Sequence, residues 1–272
     1  MITAVANAGI LGTAMLFEAC PRAALTTYAA YLAALSSPID SFLEDHILAS
    51  DFFRIRDEGG AEIGFYAMRK DGLLTQFHLI GPARRHGQRL FAEVVARGVT
   101  AAFVPTCDEC FLSHALDVCS DVKKQAYFFA DPGGPLVPGR GDAAPVYAPA
   151  REAEGAEIRA VCGDFLEPLE RRVSEGQIFV GRVGREIVGL GIVEHSRLTT
   201  GRASIGMFTA PAWRQRGIAT RTLQHLMALC RGRGWHANAG CWYYNHNSKR
   251  SLEAAGMVTT TRLLRLEFAA PA

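Results

Sequence analysis

Apolar and polar positions repeat in two rhythms along this chain, and the second half shows them more clearly. QIFVGRVG (177–184) and REIVGLGIVEHS (185–196) are β-rich runs that meet at Val183-Gly184-Arg185, a hairpin-like corner. ASIGMFTA (203–210) reads as a third strand, ended by Pro211. The period then changes: Ala219, Leu223, Leu226, Met227 and Cys230 share one face of a helix. Arg231 and Arg233 suit the negative end of that helix, and Gly232 and Gly234 stop it. HANAGCWYY (236–244) predicts a strand, NSKRSLEAAG (247–256) a short helix and MVTTTRLLRLEF (257–268) a last strand. Upstream, 150–173 has helical composition, interrupted near Gly163 and Pro168.

The first half repeats this order more faintly. PRAALTTYAAYLAAL and IDSFLEDHILA read as helices, and FFRIRDE, AEIGFYAMRK and LLTQFHLI as strands. PARRHGQRLFAEVVARG then parallels PAWRQRGIATRTLQHLMALCRGRG: a Pro-Ala step, a basic corner, a glycine and an amphipathic helix. VTAAFVPT, a helical stretch near Ser113–Val118 and KKQAYFFA complete the copy. The pattern is that of an internal duplication whose first copy has drifted. Between the copies lies DPGGPLVPGRGDAAP (131–145), where four prolines and four glycines rule out a helix or a sheet interior. The expected organisation is residues 1–130, a 131–145 linker, and 146–272, each half an α/β unit with a twisted mixed sheet flanked by helices.

Composition narrows the function classes. A net charge of +2 over 272 residues gives no general attraction for nucleic acid or an anionic membrane, so local basic clusters must carry any anion binding. Seven scattered cysteines read as reduced thiols of a cytoplasmic protein. Cys107 and Cys110 form one CxxC with no second ligand pair at zinc spacing nearby, so no metal is expected. The apolar start, MITAVANAGILGTAMLFEAC, lacks a positive leader region and is too short to span a bilayer; a buried helix or a loosely ordered start is expected.

The chemistry concentrates at RQRGIAT, Arg214–Thr220, where a strand turns into a helix. The first N–H groups of a helix have no partner within it and carry the positive end of its dipole, so an anion is stabilised there. Gly217 removes a side chain from the approach, Ala219 keeps it tight, Thr220 adds a hydroxyl, and Arg214 and Arg216 add charge. A capped helix with solvated arginines fits these seven residues equally well. Neither a Walker loop nor a dinucleotide GxGxxG is present.

Arg214-Gln215-Arg216-Gly217-Ile218-Ala219 matches [RQ]xxGx[GA], and the wider IGMFTAPAWRQRGIATRTL resembles the acyl-CoA pyrophosphate motif of the GNAT superfamily of N-acetyltransferases. NHNSKRSLEAAGM is similar to that family's second segment, with Asn245 and Gly256 eleven positions apart. The resemblance covers about residues 145–268. It implies that amides from Gln215 to Thr220 hold the pyrophosphate of acetyl-CoA. It also implies that Met207, Phe208 and Thr209 meet the pantetheine arm and polarise the thioester, and that Asn245 and Ser248 touch the cofactor. An amine would then attack the thioester directly, which requires a base for the ammonium and an acid for the thiolate.

The sequence departs from the family at both proton handlers. Leu252 stands where relatives carry a tyrosine acid, and Ser204 where relatives often carry a glutamate base. Candidate substitutes are Glu194, His195, Tyr243 and His246, with Tyr244 beside them; water is the alternative carrier. Cys241 as a covalent acyl acceptor is the weaker option, since a strand cysteine is usually packing. Trp213, Trp242, Tyr243 and Tyr244 are candidates for an aromatic wall. In the first copy, Arg89 replaces the small residue of R-x-x-G-x-[GA], so that half is expected to bind no CoA. The expected activity is acetyl transfer to a primary amine of a small molecule or amino acid, with a homodimer possible. A silent acyl-CoA-binding module and a protein N-terminal or lysine acetyltransferase stay open beside it.

Overall fold

The computed structural model describes residues 15–136 and 144–269. The first half contributes β1 (Leu16–Ala19), α1 (Tyr28–Ala34), α2 (Ser41–Leu48), β2 (Asp51–Arg56), β3 (Glu62–Met68), β4 (Leu73–Leu79), α3 (Gly87–Val95), β5 (Ala101–Pro105), α4 (Glu109–Val118) and β6 (Asp121–Ala130). The second contributes β7 (Val146–Pro149), α5 (Gly155–Cys162), α6 (Leu169–Ser174), β8 (Ile178–Val183), β9 (Glu186–His195), β10 (Arg202–Thr209), α7 (Ile218–Gly232), β11 (His236–Trp242), α8 (His246–Ala254) and β12 (Val258–Glu267). The break between α5 and α6 falls at Gly163, with φ +61°, and Pro168, and the β8–β9 turn places Gly184 at φ +60°; both follow the sequence pattern. Two short strands depart from it. Residues 16–19, expected to be helical or loose, form β1 against β2. Val146–Pro149, which carried no strand signal, forms β7 at the opposite edge.

The described strands form one mixed sheet, in the order β1-β2-β3-β4-β5-β12-β6-β11-β10-β9-β8-β7. The two expected sheets are therefore continuous, and their junction is a reciprocal exchange. β12 of the second half lies between β5 and β6 of the first, and β6 lies between β12 and β11 of the second. Leu263 and Leu266 of β12 are fully buried in different core clusters, one on each face of the sheet.

Helices cover both faces. α3, α4, α7 and α8 pack on one, and α1, α2, α5 and α6 on the other. Close approach of α7 depends on glycines beneath it. A Cβ at Gly189 would come within 2.8 Å of the Ile218 side chain, and one at Gly191 within 3.0 Å of Leu226. The expected linker begins at Asp131, whose carboxylate accepts from Arg231 Nε at 2.7 Å, tying the end of β6 to α7. Its remainder, 137–143, and the apolar start, 1–14, lie outside the described residues. Among the described residues, no helix is long and apolar enough to cross a membrane.

Candidate active site

The cleft begins where two parallel strands part. β10 and β11 are paired over Arg202–His236, Ala203–Ala237 and Ser204–Asn238, and no further. Beyond Ser204 the outer side of β10 remains on β9 as far as Thr209–Gly189. Ser196 N donates to Arg202 O, and Ala210 N to Val188 O, so the even-numbered residues of β10 face β9. Backbone groups alternate sides along a strand. Ile205, Met207 and Thr209 therefore turn their N–H and C=O groups into the gap, while those of Phe208 belong to the β9 ladder. The Thr209 hydroxyl is buried without a partner.

The corner that follows has a distinct backbone. Gln215 has φ +62° and Gly217 φ +78°, two left-handed residues separated by one. Alternation of right- and left-handed residues gathers successive amides into an anion-binding concavity. The first α-helical bond from this region is Arg221 N to Gly217 O at 3.1 Å, so the amides of Ile218, Ala219 and Thr220 precede it. Arg214, Gln215 and Arg216 are exposed beside them. The Arg216 guanidinium lies 5.0 Å from the centre of the Trp213 ring, and Trp213 Nε1 donates to Glu186 at 2.7 Å. Trp213 thus braces the outer side of the corner.

The matching corner of the first half lacks this shape. Residues Gly81–His86 form a 3-10 helix that runs directly into α3, and Gly87 has an ordinary helical φ of −58°. Its amides are used internally: Ala83 N donates to Ile80 O, and Gly87 N to Arg84 O. Gly87 is small because His114 Nε2 would lie 2.2 Å from a Cβ there. Arg89, expected to intrude on the phosphate space, pairs on the surface with Glu93 at 2.8 Å. The duplication is nonetheless visible. β4 and β5 are also parallel and part after Leu74–Ala102. Asp108 caps α4 through Phe111 N at 3.1 Å, as Asn245 caps α8 through Ser248 N at 3.1 Å. The CxxC is the start of α4, and burial pushes Cys107 up to about 11.

The predicted proton handlers do not gather at one point. His195 pairs with Ala203 at the closed end of the cleft and meets the Trp235 ring edge-on, 3.9 Å between centres. Phe208 is five positions along the strand from Ala203, about 17 Å. Glu194 lies opposite Ser204 and is paired with Arg172 at 3.2 Å. His246 is exposed as the first residue of α8. Tyr243 stacks on Tyr127 of the first half, 4.6 Å apart and 7° from parallel, with Lys124 Nζ 4.9 Å from its centre. A hydrogen bond from Tyr127, reinforced by Lys124, lowers the Tyr243 phenol below its usual value. Trp242 and Tyr244 are exposed and touch each other edge-on, forming a small aromatic ledge. Burial pushes Cys241 up to about 11, which keeps its thiol protonated near neutrality. Leu252, at 2% exposure, is core. Among the described residues, no group of His, Cys, Asp or Glu side chains could hold a metal ion.

Sequence reading missed the contribution of α2. Ser204 Oγ accepts from Ser41 N at 2.9 Å and from Asn238 Nδ2 at 2.9 Å. Asn238 Nδ2 also donates to Ile39 O at 3.2 Å. The next residue, Asp40, caps α2 through Leu43 N, and its other oxygen lies against Gly240, where a Cβ would be only 1.8 Å away. Farther along α2, Glu44 accepts from Ser196 Oγ at 2.6 Å and Arg197 N at 2.5 Å. Thus the N-terminus and first turn of α2, from the first half, are fastened to the second half at the closed end of its cleft. The only local signal was a capping aspartate, which is common and carries no information about a partner 200 residues away.

Two family models match this chain in tandem: an acetyltransferase (GNAT) domain over residues 22–132 and the acetyltransferase (GNAT) family over 147–257. The chain belongs to the GNAT acetyltransferases and carries two such domains. Among solved structures, a GNAT-family acetyltransferase from Colwellia psychrerythraea is 17% identical, with a TM-score of 0.81 over 93% of this chain and 100% of that one. A GCN5-related N-acetyltransferase from Sphaerobacter thermophilus is 14% identical, with a TM-score of 0.66 over 95% and 96%. A tandem GNAT protein from the clavulanic acid biosynthesis pathway is 13% identical, with a TM-score of 0.57 over 95% and 100%. At these identities the likeness is one of fold. No curated protein matches the chain.

Proposed function

We propose that the second half, residues 146–272, transfers an acetyl group from acetyl-CoA to a primary amine of a small molecule or amino acid. The first half, 1–130, binds no CoA and completes the cleft. The observation that carries this reading is the contrast between the two corners: of the two, only the one at Arg214–Thr220 combines left-handed residues with amides, from Gln215 onward, that precede the first helical bond at the mouth of a cleft. The pyrophosphate would rest on the amides from Gln215 to Thr220. Met207 and Thr209 would bond to the pantetheine and the thioester carbonyl from the open edge of β10, an oxyanion-type contact worth about 3–4 kcal/mol in the transition state. Asn245 and Ser248 already satisfy each other in a helix cap, so their part is to orient α8 beside the cofactor. Tyr243, its phenol lowered by its neighbours, suits the role of acid for the departing thiolate.

A second reading, a silent acyl-CoA-binding module, draws on Leu252, which has no proton to give, and on Ser204, which is no carboxylate base and is held by Ser41 and Asn238. A thiol-release assay separates the two. Acetyl-CoA is incubated with spermidine, glucosamine, lysine or an alanine-led peptide, and wild type is compared with Gly217→Trp. Release above hydrolysis that disappears in the variant supports transfer and identifies the acceptor class; release with the peptide alone points to protein acetylation. Tight acetyl-CoA binding by calorimetry without release on any amine supports the silent module. No binding at all removes both.

A further inference from the structure

An ammonium acceptor must lose a proton before its nitrogen can attack, and the base must stand on the face of the sheet where the acceptor arrives. Ala203, Ile205 and Ala239 pack against α7, so the corner and the cofactor's entry lie on the α7 face. Ser204, Gly206, Asn238 and Gly240 point to the opposite face, where the N-terminal end of α2 docks and Asp40 reaches Gly240. An acetyl group reaching through the gap from the α7 side emerges beside Gly206 and Gly240. The group waiting there is the carboxylate of Asp40.

We propose that Asp40, carried by the first half, is the general base for the amine at the second half's cleft; this takes the acetyl-transfer reading above as its premise. Three observations support it. First, the side chain is placed by more than its capping bond: Ser41 N and Ile39 O, on either side of it, are held by Ser204 and Asn238. Second, Gly240 gives it room, since any side chain there would collide with Oδ2. Third, only Oδ1 is used by the cap, leaving Oδ2 on the wall of the gap. Burial pushes the carboxyl up to about 7, a value suited to accepting a proton near neutrality. The charged and titratable groups facing it are Glu194 on β9, which is paired with Arg172, Asp45 on α2, which is paired with Arg197, and the protonated thiol of Cys241 on β11.

Asp40 takes one proton from the ammonium. The freed lone pair forms the C–N bond at the thioester carbon, the tetrahedral adduct expels the CoA thiolate as the C–S bond breaks, and the nitrogen's surplus proton ends on the sulfur through Tyr243 or water.

The test is Asp40→Asn, which keeps shape and cap, assayed by thiol release with whichever of spermidine, glucosamine, lysine or the alanine-led peptide wild type accepts. Asp51→Asn, at an exposed position on β2, is the control. The expected result is a loss of about 10²–10³-fold in kcat/KM near pH 7.5, with the acidic limb of the pH profile gone. Acetyl-CoA affinity by calorimetry stays within threefold, and Asp51→Asn is unchanged. Activity within threefold of wild type with the limb retained would overturn the assignment. So would a loss of acetyl-CoA affinity equal to the loss of rate, which would make Asp40 a structural prop. If wild type itself releases no thiol with any of the four amines, the transfer reading fails, and the base with it.

Discussion

Gly217 and Gly87 hold matching places in the two halves, and replacing each with alanine separates a backbone shaped for a ligand from one shaped for packing. At φ +78°, an L side chain at 217 costs roughly 1–2 kcal/mol. If the corner keeps its shape, the fold loses that stability. If it relaxes, the amides leave their arrangement and acetyl-CoA affinity falls by up to the same energy, about 5- to 30-fold. Gly87 is already helical, so alanine there is harmless to the backbone but drives into the His114 ring. That ring cannot easily retreat, with Phe77 5.9 Å and Phe91 6.4 Å away between centres. Overpacking of this kind costs about 1–3 kcal/mol, or roughly 2–4 °C in Tm for each kcal/mol. Calorimetry with acetyl-CoA and thermal melts on both variants make the comparison. Gly217→Ala is expected to weaken binding, and Gly87→Ala to lower Tm with binding intact. Equal losses of affinity in the two variants would refute the reasoning, as would full affinity and unchanged Tm in Gly217→Ala.

Stability should respond to pH through two buried carboxyls: desolvation raises Asp40 from 3.8 to about 7 and Asp108 to about 6. The folded chain keeps protons that the unfolded chain releases, so their stabilisation is full below about pH 4 and is lost as pH rises towards 7. Asp40→Asn should therefore raise Tm more near pH 8 than near pH 5, with a ceiling of about 4 kcal/mol; an equal gain at both would count against a buried, raised carboxyl. Tyr127→Phe should move the Tyr243 phenol back up, followed by ultraviolet titration, and an unmoved titration would rule out the Tyr127 hydrogen bond as the cause. Gly191→Val should cost about 1–3 kcal/mol by forcing α7 off β9, read from denaturant melts; full stability would mean that α7 does not need this glycine. Fragments 1–136 and 144–272 should fail to fold when made separately and should co-purify when made together, because β6 and β12 lie in each other's sheets; a folded, soluble 144–272 alone would contradict this.

Most elements were legible because their apolar periods were local: α7 follows from Ala219 to Cys230, and the β8–β9 hairpin from Val183-Gly184-Arg185. The corner was legible as a motif, yet its decisive property, the left-handed Gln215, is not a residue preference and emerges only in the folded backbone. The bulk of Arg89 does not reveal its direction: Glu93, one turn later, draws it outward, away from the place the phosphates would take. β1 and β7 are four-residue edges with mostly exposed side chains, too short for a period to register. Asp40 could not be found along the chain at all. Its meaning depends on Gly240 and Ser204, which long-range docking of α2 brings to it.

The reciprocal placement of β6 and β12 bears on how the chain is made. β5 and β6 leave the ribosome more than 120 residues before β12, the strand that must lie between them. Until β12 arrives, both present open edges, and β6 is available to any strand that pairs sooner. The first half therefore cannot complete its sheet as it is synthesised, unlike a domain that closes before its neighbour appears. The long wait selects for a folding order in which β11 engages β6 first and β12 then zips into the remaining slot. Mutations that weaken β12 would thus show their effect as misassembly in newly made protein before any loss of stability in protein already folded.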